Sequence, residues 1–326
     1  MTASIGRVVV TGGAGFLGSH VCEALIERGV GVVCVDDLST GSIGNLVEIE
    51  HRDDFELVVA DVSDGLQMIE DPIDAVLHLA SAASPPDYLA HPLETLAVGS
   101  EGTRHALTLA TKHEARFVLA STSEVYGDPA VHPQTESYWG NVNPIGPRSV
   151  YDEAKRFAEA LTMAWHRTHG TNVGIARIFN TYGPRLRPTD GRVVSNFLVQ
   201  AIEGTPLTVY GDGSQTRSLC FVDDTARGLL ELLSSEFVGV MNIGNPEEHS
   251  VLELADIVLR LTGSGSSIVH APLPENDPAL RCPDITVART QLGWEPTTSL
   301  EEGLRRTADY FRANGIGVSM SKHTAS

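Results

Sequence analysis

Short apolar runs alternate with longer amphipathic stretches through the first half of the chain. Val8–Val10 reads as a buried strand, and a helical pattern then runs to Arg28, where Gly29 supplies a stop. A second strand ends at Asp36. Residues 56–61 (ELVVAD), 74–80 (DAVLHLA), 116–122 (RFVLAST) and 172–180 (NVGIARIFN) read as further buried strands. Helical periods cover 92–113 and run from Ser149 to Gly170, whereas 80–92 (ASAASPPDYLAHP) reads as a loop at a strand's C-terminal end. Strands alternating with helices predict an α/β fold with a parallel, doubly wound sheet.

Beyond Asn180 the texture changes to a Gly/Pro/Arg loop, a helix, a strand with a sharp turn and another strand–helix unit. GSGSS (263–267) reads as a flexible turn, 272–285 as a proline-rich loop, and the last helix is capped near Ser299, with a frayed tail from Asn314. We expect one domain over 1–180, to which 212–243 returns, and a smaller interleaved C-terminal domain over 181–326.

The turn after the first strand carries candidate chemistry. Gly12, Gly15 and Gly18 are spaced GxxGxxG, and Gly13, Gly15 and Gly18 also fit GxGxxG. Between a strand and a helix, such glycines let backbone N–H groups approach a pyrophosphate at the helix N-terminus. Asp36, at the end of the next strand, can accept hydrogen bonds from an adenosine ribose and would repel a 2′-phosphate. With Asp37 beside it and no nearby arginine, the pattern predicts a Rossmann-type domain that binds NAD rather than NADP. Asp61 is placed to flank an adenine pocket, and His78, inside an apolar strand, reads as a core histidine.

A second constellation lies between Leu119 and Lys155. Tyr151 and Lys155 share a helix face at a spacing of four, and an ammonium there favours the phenolate, so Tyr151 reads as a general base. Only three lysines stand in the chain (Lys112, Lys155, Lys322), so a chance pairing with one of seven tyrosines is uncommon. Thr122 and Glu124 alternate at a strand end and are expected on one face.

The net charge of −19 argues against a nucleic-acid or anionic-membrane surface. Locally the balance reverses: Arg177, Arg185, Arg187, Arg192 and Arg217 face three acids within 177–217. Cys22, Cys34, Cys220 and Cys282 are scattered, which predicts a reducing compartment and no metal site. The N-terminus leads straight into a strand and no apolar run reaches the roughly eighteen residues of a span, so a soluble, cytoplasmic protein is expected.

The fingerprint, Tyr-x-x-x-Lys and Thr-Ser-Glu resemble extended short-chain dehydrogenases/reductases acting on nucleotide sugars. ASPPDY, LASTSEVYGDP, NPIGPRSVYDEAKR, ARIFNTYGPR, DGRVVSNF, LTVYGDGSQTR, NIGNPEEH, PDI and LGWEP are closer still to the UDP-glucuronate decarboxylase (UDP-xylose synthase) family, over residues 6–311. That resemblance implies oxidation at C4 of UDP-glucuronate by tightly bound NAD, loss of CO2 from the 4-keto acid and re-reduction to UDP-xylose. It makes Tyr151 the base, has Lys155 hold the nicotinamide ribose and Thr122 the C4 oxygen, and pairs Glu124 with Arg281 for decarboxylation. It extends the cofactor contacts to Phe16, Leu17, Val62, Leu79 and Ala80. It places Pro85, Tyr88, Asn180, Arg192 and Arg217 against the nucleotide sugar, and leaves Tyr210 between a uracil or ribose contact and a core position. It also implies a homodimer through the helices near 92–113 and 149–169.

Two positions depart from the family pattern. Gly99 stands where the family has an asparagine, in a Thr-Asn-x-x-Gly-Thr run, and Cys282 stands where a lysine follows the loop arginine. The bland alternative for Arg281 is a loop ion pair with Asp277 or Asp284. Rival outcomes remain open: a 4-epimerase, a decarboxylase that releases the 4-keto pentose, and a catalytically silent NAD-binding sensor. A 4,6-dehydratase would show Thr-Asp-Glu, and Ser123 argues against it.

Overall fold

A computed structural model describes residues 5–273 and 280–316. In chain order the first half comprises β1 (Arg7–Thr11), α1 (Phe16–Glu27), β2 (Gly31–Asp36), β3 (Phe55–Val59), β4 (Ala75–His78), α2 (Pro85–Ala90), α3 (Pro92–Ala97), α4 (Thr103–Lys112), β5 (Arg116–Thr122), α5 (Ser149–His169) and β6 (Val173–Ile178). The second comprises β7 (Thr181–Tyr182), α6 (Val193–Glu203), β8 (Leu207–Tyr210), β9 (Thr216–Ser218), β10 (Cys220–Phe221), α7 (Val222–Leu233) and β11 (Gly239–Ile243). It closes with β12 (Glu248–Ser250), α8 (Val251–Thr262), β13 (Ile268–Ala271), α9 (Thr286–Leu292) and α10 (Leu300–Ala313).

Seven strands form one sheet in the order β11-β6-β5-β4-β1-β2-β3, every neighbouring pair parallel. Side chains alternate across it with the period of two. Val8, Val10, Val32 and Cys34 bury with residues of α1 and α7, while Val9, Val33 and Val35 bury with residues of α4 and α5. Strand order reverses between β1 and β4, so the crevice at their C-terminal ends is where such a sheet takes a ligand. Two glycines make the first turn possible. Gly12 has φ +71°, and a Cβ on Gly18 would lie 2.1 Å from Gly12 O, so only a bare backbone lets α1 sit this close to β1.

The rest of the chain builds a second core from α6, α8 and α10, in which Phe197, Leu198, Val258, Leu304 and Phe311 are buried. α7 and β11 return to the main sheet, β11 pairing with β6 from Gly239↔Gly174 to Ile243↔Ile178. The buried Asp224 of α7 ties them to the chain's end, accepting from Thr297 Oγ1 at 2.9 Å and Thr298 N at 2.8 Å. Among the described residues no helix is long and apolar enough to cross a membrane.

Three expectations are corrected. The stretch 80–92 contains α2: Pro85 and Pro86 occupy its first turn, where a missing N–H costs nothing, so they start a helix instead of preventing one. The helix expected over 92–113 is α3 and α4 joined by a π-helical turn, Val98–Gly102. Glu124 does not continue the strand, because β5 ends at Thr122 and Ser123–Tyr126 is a 3-10 turn whose Glu124 N donates to Thr122 Oγ1 at 3.2 Å. Asp277, part of the proline-rich loop, and the tail beyond Ile316 lie outside the described residues.

Candidate active site

The C-terminal ends of the strands open into one cleft of about 910 Å3, lined by both the glycine turn and the Tyr/Lys pair. Apart from Gly13, which packs against Cys34 and Cys22, every residue singled out for cofactor, substrate or catalysis borders this cleft. At one end α1 begins at Gly15 with no side-chain cap and no acid in its first turn. Its leading N–H groups are therefore open to an anion, and Phe16 and Leu17 flank them. A Cβ on Gly12 would lie 2.7 Å from Ala80 N, so the glycine keeps the turns after β1 and β4 in backbone contact, with Leu79 and Ala80 as the far wall. Asp36 accepts from Ala14 N and Leu38 N, each at 2.9 Å, which fixes its carboxylate at the cleft edge. Burial pushes Asp36 above its usual range against the pull of those N–H groups. Asp61 and Val62 close the same end, and Asp61 accepts from Ser63 N at 2.7 Å. An uncapped helix start, an open backbone turn and a fixed carboxylate suit a dinucleotide.

His78 lies beneath this floor, its ring nitrogens 2.7 Å from Thr11 Oγ1 and 3.2 Å from Thr103 Oγ1. Burial, with the Lys155 charge nearby, holds it down at about 3, so it is a neutral core residue.

Deeper in the cleft, Tyr151 and Lys155 project from the first turns of α5, both buried. Lys155 Nζ donates to Ala120 O at 2.9 Å and lies 5.9 Å from the centre of the Tyr151 ring. Burial pushes Lys155 down to about 8. The Tyr151 phenol is pushed well above its usual value by burial, against a hydrogen bond with Thr122. The expected lowering of the phenol by the ammonium is not what sets it in the chain itself: desolvation dominates, and Thr122 and Arg192 supply the opposing pull. Tyr88 stacks on Tyr151 with centroids 5.3 Å apart and planes at 7°, and its buried hydroxyl has no protein partner.

Glu124 sits between two guanidinium groups. Arg281, only 4% exposed, pairs with one carboxylate oxygen, and Arg148 Nη2 donates to the other at 2.6 Å. Burial opposes the charge, but Arg281 and Arg148 outweigh it and hold Glu124 down at about 2. Arg281 also donates to Gly127 O at 3.1 Å, while its Nε is buried without a partner. Its ion pair is therefore with Glu124 in the cleft and not with Asp284.

Arg148 was not legible as a site residue, although it stands three positions before Tyr151, within reach along a helix. Asp152 was also missed: burial, reinforced by Glu124, pushes it up to about 7. Arg192 is braced by Asp190, Nε to Oδ1 at 2.5 Å, and Asn180, Pro85 and Arg217 border the same half. Tyr210 is 40% exposed, which removes the core reading.

At Gly99 the π-helical turn meets α5 directly, since a Cβ there would lie 2.7 Å from Ala154 Cβ. An asparagine in its place requires the two helices to part.

Comparison with known proteins decides the family. The sequence model of the NAD dependent epimerase/dehydratase family matches residues 8–244. The chain belongs to that family. Within this epimerase/dehydratase family, it is 51% identical over 306 residues to UDP-glucuronic acid decarboxylase 1 of Arabidopsis thaliana, covering 94% of this chain and 70% of that one. UDP-glucose 4-epimerase from Thermotoga maritima, solved with UDP-glucose, superposes with a TM-score of 0.87 at 32% identity, over 94% of this chain and 99% of that one. UDP-glucuronic acid 4-epimerase from Bacillus cereus, solved with NAD, gives a TM-score of 0.83 at 29% identity over 94% and 99%.

Proposed function

We propose that this epimerase/dehydratase family member is an NAD-dependent UDP-glucuronate decarboxylase that forms UDP-xylose. The observation that carries the reading is Glu124 clamped by Arg281 and Arg148 in the cleft that holds Tyr151 and Thr122. A carboxylate-bearing substrate needs a guanidinium to receive its carboxylate, and a desolvated Arg281 bordering the cleft supports that role. The similarity to a UDP-glucuronic acid decarboxylase over nearly the whole chain supports the same reading.

NAD held by the turn of Gly12, Gly15 and Gly18, by Asp36 and by Lys155 would supply the redox chemistry, as acceptor and later donor of the C4 hydride. Tyr151 takes the C4 hydroxyl proton, while Thr122 hydrogen-bonds the same oxygen. With a ketone at C4, the C5 carboxylate is that of a β-keto acid, and its bonding electrons pass into the carbonyl as CO2 leaves. Arg281 orients that carboxylate, and the buried surroundings favour loss of its charge. When Arg281 turns to the substrate, Glu124 loses one cation, so its affinity for a proton rises. Glu124 then takes up a proton from solvent and passes it to C5, the one proton the net reaction consumes, and Tyr151 returns its own proton to the C4 oxygen on re-reduction. Arg192 and Arg217 bind the diphosphate side, with Asn180 beside them, and Tyr210 faces the nucleoside.

The deciding test is proton NMR with mass spectrometry on UDP-glucuronate and catalytic NAD. UDP-xylose with stoichiometric CO2 and no net NADH is expected. A 4-epimerase is the second reading, favoured by the likeness to the two solved epimerases. A product retaining its carboxylate with C4 inverted would establish it and remove the role given to Arg281. Accumulating NADH with a 4-keto pentose would show that re-reduction fails.

Two coarser features complete the reading. Of the described residues, 5–180 with 212–243 are assigned to the NAD half and the remainder of 181–316 mainly to the sugar-nucleotide half, although Ile285, Ala288 and Trp294 bury with the main sheet's core. The protein acts as a homodimer through α3 and α5, a reading supported by the exposed apolar side chains Leu93 and Phe157 on those helices.

A further inference from the structure

Cys282 departs from the family pattern, and its surroundings are as unusual as its identity. Three segments far apart in sequence meet around it. His132 comes from the loop after β5, Glu248 from the first position of β12, and Cys282 directly follows Arg281. One ligand atom of each, the imidazole nitrogen, a carboxylate oxygen and the thiol sulfur, lies within 4.8 Å of the other two. A tetrahedral Zn2+ with bonds of about 2.0–2.3 Å sets its ligand atoms about 3.3–3.8 Å apart, so small side-chain movements complete the trio.

The scaffold around the three groups is built. Gln134 fixes the cysteine from both sides, its Oε1 accepting from Cys282 N at 2.9 Å and its N donating to Cys282 O at 2.8 Å. Glu248 Oε1 accepts from Thr216 Oγ1 at 2.6 Å, which leaves Oε2 facing His132 Nε2 at 2.8 Å. The β9–β12 ribbon sets Ser218 opposite Glu248. Ser218 is 1% exposed, and its hydroxyl lies beside the Cys282 thiol. The His132–Glu248 contact accounts for two of these groups as an ordinary ion pair. It does not account for the buried Cys282 thiol beside that pair, whose nearest acceptor is Pro246 O at 3.4 Å.

We propose that His132, Glu248 and Cys282 form a binding site for a divalent cation of borderline softness, with Zn2+ as its ligand class and Ser218 holding a water in the fourth position. Imidazole, carboxylate and thiolate are the Zn2+ donor set, whereas Mg2+ and Ca2+ prefer oxygen alone. The partly exposed His132 and Glu248 provide the entry path. The metal is structural in position: it ties the residue after Arg281 to the ribbon that carries Arg217, and so braces the loop that presents Arg281 to the cleft. The inference rests on these side chains and not on the reading of the reaction.

Co2+ titration of the tag-free, chelator-stripped full-length protein tests it. One equivalent is expected to bind, with a thiolate-to-cobalt charge-transfer band and the visible bands of tetrahedral cobalt, and Zn2+ should displace it. Cys282→Ser should abolish the charge-transfer band. His132→Gln, at a partly exposed side chain, should keep the fold by circular dichroism and weaken binding by roughly 10–100-fold or more, the cost of losing even an outer-shell partner. Zn2+ should raise the melting temperature of the parent protein and not of Cys282→Ser. A band that survives in Cys282→Ser, affinity unchanged in His132→Gln, or no stoichiometric binding by the parent protein would each overturn the site.

Discussion

Glu124 is the residue on which the proposed chemistry turns, because two cations keep it ionised where desolvation alone would neutralise it. Arg148 supplies part of that hold and lies outside the pair read from the sequence. Replacing Arg148 with Ala should raise the Glu124 pKa from about 2 toward the ordinary carboxylate range, moving the acidic limb of the kcat/KM profile upward. An unmoved limb would mean that Arg148 only packs. Tyr151→Phe removes the acceptor of the C4 proton and should lower kcat by roughly 10²–10⁴-fold with the fold intact by circular dichroism. Asp152 gives a prediction of opposite sign. Its folded-state pKa of about 7 exceeds its ordinary 3.8, so the folded protein binds a proton that the unfolded chain does not. That contribution is fully present below the ordinary value and is lost as pH rises through about 7. Asp152→Asn should therefore raise the melting temperature above pH 7 and change it little near pH 4. An equal shift at both ends would assign the effect to packing instead of charge.

At the scale of elements, the strands of the main sheet were readable because each is a short apolar run closed by turn residues, and β5 matches its expected 116–122 span. The helices near the site were less legible. Pro85-Pro86 signals a break in one position and a helix start in another, and only the preceding Ser84 turn decides which. The π-helical turn at Val98–Gly102 left a hint in Gly99 and Gly102, but its cause is the approach of α5, which no local pattern contains. That contact is testable. A Cβ at position 99 would sit 2.7 Å from Ala154 Cβ and 3.0 Å from Ala154 O, and Ala154 adjoins Lys155. Gly99→Ala should cost about 1–3 kcal/mol in urea unfolding and displace the Tyr/Lys turn, lowering kcat. Ala154→Gly added to it relieves the side-chain clash but not the approach to Ala154 O, so rescue of stability should be partial. A strictly additive double mutant would mean that the two helices do not meet as the geometry requires.

For the molecule as a whole, the doubly wound architecture and the cleft at its strand ends followed from the order of elements. The convergence of Arg281 on Glu124, 157 positions earlier, did not follow from spacing and came from resemblance alone. The same limit hid His132, Glu248 and Cys282, since a ligand set drawn from three segments has no sequence period. Assembly is where net charge and surface pattern oppose each other. Leu93 is 74% exposed and Phe157 51%, an apolar pair on packed helices that covering by a second copy would remove from water. Each copy of the chain carries a net charge of −19, so the proposed dimer would work against long-range repulsion. The Debye length falls from about 30 Å at 0.01 M salt to about 8 Å at 0.15 M, which screens that repulsion and leaves the apolar contact intact. Light scattering across this salt range should show the dimer tightening as salt rises, the reverse of an assembly held by complementary charge. Leu93→Glu with Phe157→Glu should give a monomer at both salt concentrations. A dimer that persists in the double variant would place the interface elsewhere, and one that dissociates with salt would mean that ion pairs, not α3 and α5, hold it.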